Sequence, residues 1–201
     1  MTTPSGSCGV AFKEWAGVCE ALGRGRQSIL LRKGGISEDS GAGAFVPEHP
    51  AFWLFPTAVH QAQQGLRDES PTLATGPTVP IRLLARVEHV RRVVDEASLP
   101  ALENFHILTP ETVRNRFHYR EPGLWILIVR IWRRDPPIAI ETTPGQAGCK
   151  TWVTLDQPLP MDGMTPVLDD REWAAVASRL ACILDGAGDR PAAIDRGIGA
   201  E

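Results

Sequence analysis

The sequence predicts a single α+β domain with a mixed, largely antiparallel sheet or partial barrel and a few packed helices. Short segments rich in β-branched and aromatic residues recur along the chain, as expected of strands. Helical segments lie between them at irregular intervals, which disfavours the strict alternation of a mainly parallel sheet. A length of 201 residues suits one ordinary hydrophobic core.

The two ends of the chain have the composition of tails. Residues 1–11 are small and polar, and residues 186–201 are rich in glycine, alanine and aspartate without apolar periodicity. We therefore expect a flexible N-terminal tail over 1–11, one α+β domain over 12–185 and a flexible C-terminal tail over 186–201.

The first half of the domain contains three predicted elements. Residues 15–22 and 27–32 flank a turn with two glycines, which predicts a β-hairpin. Residues 52–55 are continuous, apolar and aromatic, as in a buried strand, and the Pro56-Thr57 pair that follows predicts a helix through Gln64.

The second half alternates strands with better-marked helices. Thr109 followed by Pro110 is a helix start, and that helix should end near Tyr119. The apolar run 124–132 is the best candidate for a central strand. Further strands are predicted over 81–90, 138–140 and 152–155, and further helical segments over 97–104 and from Asp169 or Asp170 to about 184.

The composition of the chain limits the classes of function that it is expected to have. The net charge is −3, and the longest apolar run falls far short of the roughly 20 residues of a transmembrane helix. The first residues lack a secretory signal, so we expect a cytoplasmic protein that does not bind membranes. The four cysteines are scattered without metal-ligand spacing, so neither a metal nor another cofactor is expected.

Four clusters in order resemble a known family. They are Lys13-Glu14-Trp15, the run 30–36 around Arg32-Lys33-Gly34-Gly35, the run 55–61 that ends in His60-Gln61, and the run 148–153 around Lys150-Thr151-Trp152. Together they resemble the bacterial domain-of-unknown-function family 1802. The resemblance implies no established activity, but it implies an association with restriction-endonuclease-like domains and thus with restriction or defence systems.

Lysine usage indicates a ligand site within these clusters. The chain has eighteen arginines and three lysines, so a retained lysine indicates a need for a compact ammonium. We expect one cleft for an anionic ligand, with His60 as candidate acid or base. Its predicted ligand-binding residues are Arg32, Lys33, Gly34, Gly35, Gln61, Lys150, Trp15 and Trp152. The plainer alternatives are an exposed glycine turn after Lys33 and a packed, structural His60.

A local basic excess suggests a second kind of surface. Ten arginines and six acids lie between residues 80 and 134. A nucleic-acid backbone is the expected partner of such a segment, and Phe117, His118 and Tyr119 could stack on bases. The predicted contacts are Arg82, Arg86, Arg91, Arg114 and Arg116. The alternative is a solvated face whose arginines pair with acids such as Glu88, Glu111 and Glu121.

The leading functional hypothesis is therefore a bacterial accessory protein of a restriction or defence system that binds nucleic acid or a nucleotide. Two alternatives remain open at this point. One is a small enzyme acting on a phosphorylated or carboxylated metabolite, with His60 as acid or base and Lys33 as anion clamp. The other is a protein-interaction module without a small ligand. The sequence leaves the oligomeric state open.

Overall fold

The computed structural model describes residues 3–33, 49–58, 65–67, 77–143, 146 and 151–186. The elements in chain order are strand β1 (Ser7–Trp15), helix α1 (Ala16–Gly23), strands β2 (Ile29–Arg32), β3 (Ala51–Thr57) and β4 (Thr78–Val93), a 3-10 helix (Glu96–Phe105), helix α2 (Pro110–His118), strands β5 (Leu124–Glu141), β6 (Trp152–Pro160) and β7 (Thr165–Pro166), and helix α3 (Asp170–Gly186). No helix in these ranges is long and apolar enough to cross a membrane.

The seven strands in the described part of the chain form one mixed sheet. Its order is β2-β5-β4-β3-β1-β6, with the short β7 paired to β5. Strands β1 and β3 run parallel, and every other pairing is antiparallel. The sheet is not closed. The predicted α+β class with a largely antiparallel sheet is confirmed.

Strand β5 is an interior strand, as its apolar run predicts, because it pairs with β2 on one side and β4 on the other. It continues to Glu141, so residues 138–140 are its end rather than a separate strand. These last residues extend the β4–β5 pairing, with Ile138 opposite Ile81 and Glu141 opposite Thr78.

The predicted hairpin over 15–32 is wrong. Residues Ala16–Gly23 form helix α1, and six of its eight residues are buried, namely Ala16, Gly17, Val18, Cys19, Ala21 and Leu22. A helix that is covered nearly all round shows no polar stripe, so its sequence resembles a buried strand. Strand β1 begins at Ser7, inside the segment that the sequence predicts to be a tail, because it pairs with β6 there.

Helix α2 follows its sequence signals closely. The Thr109 hydroxyl accepts a hydrogen bond from the backbone N–H of Thr112 at 3.3 Å, and Pro110 occupies the first helical position. The helix ends at His118, as predicted. Such a cap satisfies one of the N–H groups that the first turn leaves without a helical partner.

Two hydrophobic clusters occupy the two faces of the sheet. The larger one packs α1, α2, α3 and the 3-10 helix against residues such as Phe12, Leu30, Leu54 and Leu127. The smaller one includes Trp53, Leu84 and Trp132 together with residues of β6. The side chains of β1 therefore alternate between two cores, and its C-terminal end carries the candidate site.

Candidate functional site

Described members of all four sequence clusters meet near the C-terminal half of β1. Lys13 lies opposite Phe55 of β3, and Phe12 lies opposite Trp152 of β6. The guanidinium carbon of Arg32 is 4.2 Å from the centroid of the Phe12 ring. Clusters that are far apart in sequence are thus brought together by β1, which has a neighbouring strand on each side.

Arg32 stands at the end of β2 and is held by β1. Its Nη2 donates to Glu14 Oε2 at 2.8 Å and to the backbone oxygen of Lys13 at 3.3 Å. The Nε atom is buried and has no hydrogen-bond partner among the described residues. Because a guanidinium carries five N–H donors, Arg32 retains a donor for a further acceptor.

Arg116 of helix α2 approaches the same region. Its guanidinium carbon is 4.6 Å from the centroid of the Trp15 ring, and its Nη1 donates to the backbone oxygen of Leu31 at 3.2 Å. The pKa of Arg116 is lowered to about 10; burial is the main cause, the negative charge of Glu14 opposes it, and the positive charge of Arg32 adds to it. The charges of Arg32 and Glu14 thus both act on Arg116.

Glu14 is the carboxylate that Arg32 bonds directly. It is buried, and its Oε1 accepts a hydrogen bond from the backbone N–H of Trp15 at 2.9 Å. Arg116 bonds Leu31 instead, and its charge interacts with those of Glu14 and Arg32 without a direct hydrogen bond. One carboxylate thus lies near two positive charges, and a partly buried excess of positive charge is costly unless an anion or solvent compensates it.

Trp152 forms an aromatic wall next to this cluster. Its ring centroid is 4.8 Å from that of Phe12 and 5.1 Å from those of Phe52 and His49, all in edge-to-face geometry. The indole N–H of Trp152 is buried and has no hydrogen-bond partner in the part of the chain that the structure describes. Arg32 and Trp152, which both contact Phe12, thus each contain a buried N–H donor without an acceptor from the described residues.

Lys33 follows Arg32 but has a different environment. Its ammonium donates to the backbone oxygens of Phe117 at 2.7 Å and Gly123 at 3.0 Å, and also to that of Glu121. Burial lowers the pKa of Lys33, and the positive charge of Arg92 adds to this. The ammonium thus donates to carbonyls at and beyond the C-terminal end of helix α2, and its predicted role as an anion clamp stays a prediction.

Five predicted site residues lie outside the described residues. They are Gly34, Gly35, His60, Gln61 and Lys150. The assignment of His60 as acid or base and the glycine turn after Lys33 therefore stay predictions. The predicted helix start at Pro56-Thr57 is wrong, because both residues belong to strand β3 and pair with β1, while residues 59–64 of that helix lie outside the described part of the chain.

Most of the arginines predicted to contact nucleic acid are paired with acids. Arg82 bonds Asp135 at 2.9 Å, Arg86 bonds Glu88 at 2.8 Å, and Arg114 bonds Glu96 at 3.2 Å. Arg91 lies 4.0 Å from Asp185. Arg116 alone of the five belongs to the Glu14 cluster, so these arginines do not share one unpaired surface.

The three aromatic residues considered for base stacking have different environments. Phe117 is buried in the larger core, and His118 bonds Glu96 at 2.9 Å. Tyr119 is 58% exposed, with the guanidinium carbon of Arg120 5.3 Å from its ring centroid. Only Tyr119 of the three is available to stack on a base.

Sequence reasoning missed the part that Glu14 plays. The signal was a single acid between Lys13 and Trp15, which reads as an exposed position on a strand. The structure instead buries this carboxylate and pairs it with Arg32, 18 residues along the chain. A charged residue in an otherwise apolar strand is a signal for such a buried pair.

The fold and the site define a mixed α+β protein with a buried arginine–aromatic cluster at one end of β1. The chain belongs to the family described as "Domain of unknown function (DUF1802)", which matches residues 11–179. This confirms the resemblance seen in the four clusters. None of the curated proteins compared with the chain matches it.

Solved structures with a distant likeness come from Zymomonas mobilis. ASCH is 14% identical, with a TM-score of 0.40, and the match covers 84% of this chain and 93% of that one. A serine-to-alanine variant of the same protein, ZmASCH, is 13% identical, with a TM-score of 0.42 and coverage of 84% and 94%. At these values the likeness transfers neither residues nor an activity to this chain.

Proposed function

We propose that this chain binds a phosphate-bearing ligand, either a nucleotide or a nucleic acid, at the cluster formed by Arg32, Arg116 and Glu14. The observation that carries the proposal is the Arg32–Glu14 ion pair, in which Arg32 Nε is buried and has no hydrogen-bond partner among the described residues, together with the charge of Arg116 acting on both groups. An anionic oxygen would satisfy that donor and balance the remaining positive charge.

The rings around the cluster favour a ligand with a flat, polarizable part. Phe12 and Trp15 already lie against the guanidinium groups, and Trp152 packs edge-on against Phe12. Tyr119, three residues after Arg116 in the sequence, is exposed and offers a ring face to a base. Stacking contributes about 1–3 kcal/mol per base and tolerates every base, so it suits nucleotides and single strands.

A restriction or defence role in the bacterial cytoplasm is the setting that we propose for this binding. The support is family membership together with the association that the family resemblance implies. A small enzyme acting on phosphorylated metabolites would use the same arginines, and it would need His60 as its acid or base in addition.

The first experiment measures binding with and without the Arg32 guanidinium. Labelled single-stranded RNA and DNA of about 12 nucleotides, ATP and inorganic pyrophosphate are titrated into the wild type, Arg32→Gln and the matched control Arg24→Gln. Arg24 is exposed, and its guanidinium forms an ion pair with Glu20 on the surface of helix α1. We expect Arg32→Gln to weaken binding about tenfold or more, and Arg24→Gln to change it less than about twofold.

Folding is checked in the same samples, because Arg32→Gln leaves the buried Glu14 without its partner. The double variant Glu14→Gln/Arg32→Gln removes both charges and serves as the folded reference. Unchanged affinity in a folded Arg32→Gln protein contradicts the proposal, as does an absence of binding to all four probes. The second result favours a protein-interaction module.

Surface arginines provide the competing explanation and a direct comparison. If a basic face binds the backbone, Arg86→Gln and Arg114→Gln should each weaken nucleic-acid binding about equally and lower its salt dependence. If the Glu14 cluster is the site, both variants should bind like wild type, since each of these arginines is already paired with an acid.

A further inference from the structure

A cleft of about 340 Å³ opens between helix α1 and strands β3, β4 and β5. Its wall on the helix is formed by Ala16, Cys19 and Glu20, and Leu54 and Leu83 contribute from the sheet. We infer that this cleft is a second ligand site, which binds a neutral, largely apolar ring compound. This inference is independent of the proposed function, because neither Arg32 nor Arg116 lines the cleft.

The size and lining of the cleft fit a small organic molecule. Ligand sites commonly span about 300–1,000 Å³ and are mostly apolar, with a few polar groups. Ala16, Leu54 and Leu83 are all buried in the folded chain, so their side chains present hydrocarbon to the cleft. A ring compound that fills this space would remove its own apolar surface and that of the walls from water.

Three prolines restrict the hydrogen bonds that the cleft can offer. Pro56, Pro80 and Pro137 line it on three different strands. Proline has no backbone N–H, so at these positions the walls cannot donate to a ligand oxygen. An anion would therefore find few donors here, in contrast to the cluster around Arg32.

The charged groups at the cleft are already neutralised. Glu20 Oε1 lies 2.6 Å from Arg24 Nη2, and Arg82 Nη2 lies 2.9 Å from Asp135 Oδ1. A charged ligand would have to give up its hydration without an unpaired opposite charge to receive it. A neutral ligand avoids this cost and can still use Glu20 or Arg82 for a hydrogen bond.

The reactivity of the Cys19 thiol can report whether a ligand occupies the cleft. Its thiol is buried in the wall and lies 3.8 Å from the backbone oxygen of Glu14, to which it donates. Burial, with Glu14 next in importance, raises the pKa of Cys19, which keeps it a neutral thiol. Reaction with a small reagent will therefore be slow and will depend on access through the cleft.

The first test measures binding to the unmodified chain by saturation-transfer NMR. Indole and p-cresol are the neutral probes, and benzoate and benzamidine are their charged counterparts. We expect the neutral probes to bind at least about tenfold more tightly than either ion. Equal or tighter binding of benzoate or benzamidine contradicts the inferred ligand class, and no binding of indole or p-cresol contradicts the site.

The location is tested with two matched substitutions. Ala16→Leu fills the cleft from helix α1, whereas Ala175→Leu adds the same atoms at an exposed position of helix α3. We expect indole binding to be lost in Ala16→Leu and retained in Ala175→Leu. Indole binding that persists in a folded Ala16→Leu protein places the probe elsewhere and overturns the inference.

Cys19 gives an independent readout in a chain that carries the substitutions Cys8→Ser, Cys149→Ser and Cys182→Ser. Saturating indole should slow the reaction of methyl methanethiosulfonate with the remaining thiol by about fivefold or more, in line with occupancy of the cleft. Nucleotide binding by Arg32→Gln is measured in parallel and tests only the proposed function. A failure of the proposed function can therefore be distinguished from a failure of this inference. A reaction rate that indole leaves unchanged contradicts the assignment of the cleft.

Discussion

Replacing Lys33 with methionine should destabilise the protein even when no ligand is present. Methionine keeps most of the length of the side chain but removes the ammonium, which bonds the carbonyls of Phe117, Glu121 and Gly123. These oxygens lie at and beyond the C-terminal end of α2, where helix carbonyls lack helical partners. The substitution therefore removes a C-terminal cap rather than a ligand contact.

The size of the effect follows from the number of bonds and their exposure. A hydrogen bond to a charged group contributes about 1.5–3 kcal/mol when buried. Lys33 is half-buried, so water will replace part of the loss, and we expect a net loss of about 2 kcal/mol in the free energy of unfolding. For a chain of this size, that corresponds to a fall in Tm of about 4–8 °C.

Urea and thermal unfolding of Lys33→Met, with Lys33→Arg as the comparison, test this reasoning. Arginine retains the charge, but its planar fork cannot direct donors to three carbonyls around one point. We expect Lys33→Arg to recover less than half of the loss. A Lys33→Met protein within about 0.5 kcal/mol of wild type would refute the capping role, and full recovery by arginine would show that charge alone matters.

Two further predictions concern a buried imidazole and a close backbone contact. Burial, followed by the charges of nearby arginines, lowers the pKa of His106 to about 4 from 6.5, so the unfolded state binds the proton first as the pH falls. The free energy of unfolding should therefore fall by about 3 kcal/mol between pH 6.5 and 4. His106→Asn should flatten this part of the pH profile measured by urea unfolding, and a profile identical to that of the wild type would contradict the role of His106. In Gly65→Ala the new Cβ would clash with Thr109 Oγ1 and lie 2.8 Å from Thr112 Oγ1, so we expect a loss of about 2 kcal/mol in the free energy of unfolding. Gly186→Ala, with no atom of the described residues within 4 Å, should be neutral in the same thermal unfolding assay, and equal Tm values for the two variants would disprove the clash.

Elements with local chemical signals were the ones that sequence could predict. The start of α2 needs only Thr109 and Pro110, whose effects act within one turn. The β5 strand needs only a run of β-branched and aromatic residues. Local propensity and tertiary structure agree at these places, so the sequence pattern was sufficient.

Helix α1 could not be predicted because its character depends on what surrounds it. Its eight residues are nearly all buried, so no polar face distinguishes a helical period from a strand. The turn at Gly25, which has a φ of +70°, was recognised correctly as a turn but was assigned to a hairpin. Whether residues 16–23 before the turn form a strand or a helix decides whether the turn belongs to a hairpin. That choice depends on how these residues pack against the sheet.

For the candidate site, the sequence drew attention to Arg32 and Lys33 but not to their environments. The rarity of lysine did indicate a place that requires a compact ammonium, and the Lys33 ammonium donates to three carbonyls. Sequence cannot distinguish carbonyl partners from an anionic ligand, because both demand the same donors. The adjacent Arg32, in contrast, has a buried donor without a partner among the described residues.

The arginines show why a charge count along the chain does not locate a basic face. Their partners are far away in sequence: Arg82 pairs with Asp135 and Arg91 approaches Asp185, while Arg130 is buried and pairs with Asp170 at 2.5 Å. The excess of positive charge within residues 80–134 is therefore offset by acids that lie at or beyond the C-terminal end of this segment. Among the described residues, the charges of both Arg32 and Arg116 act on the buried carboxylate of Glu14, and for this electrostatic reason we propose the anion site there.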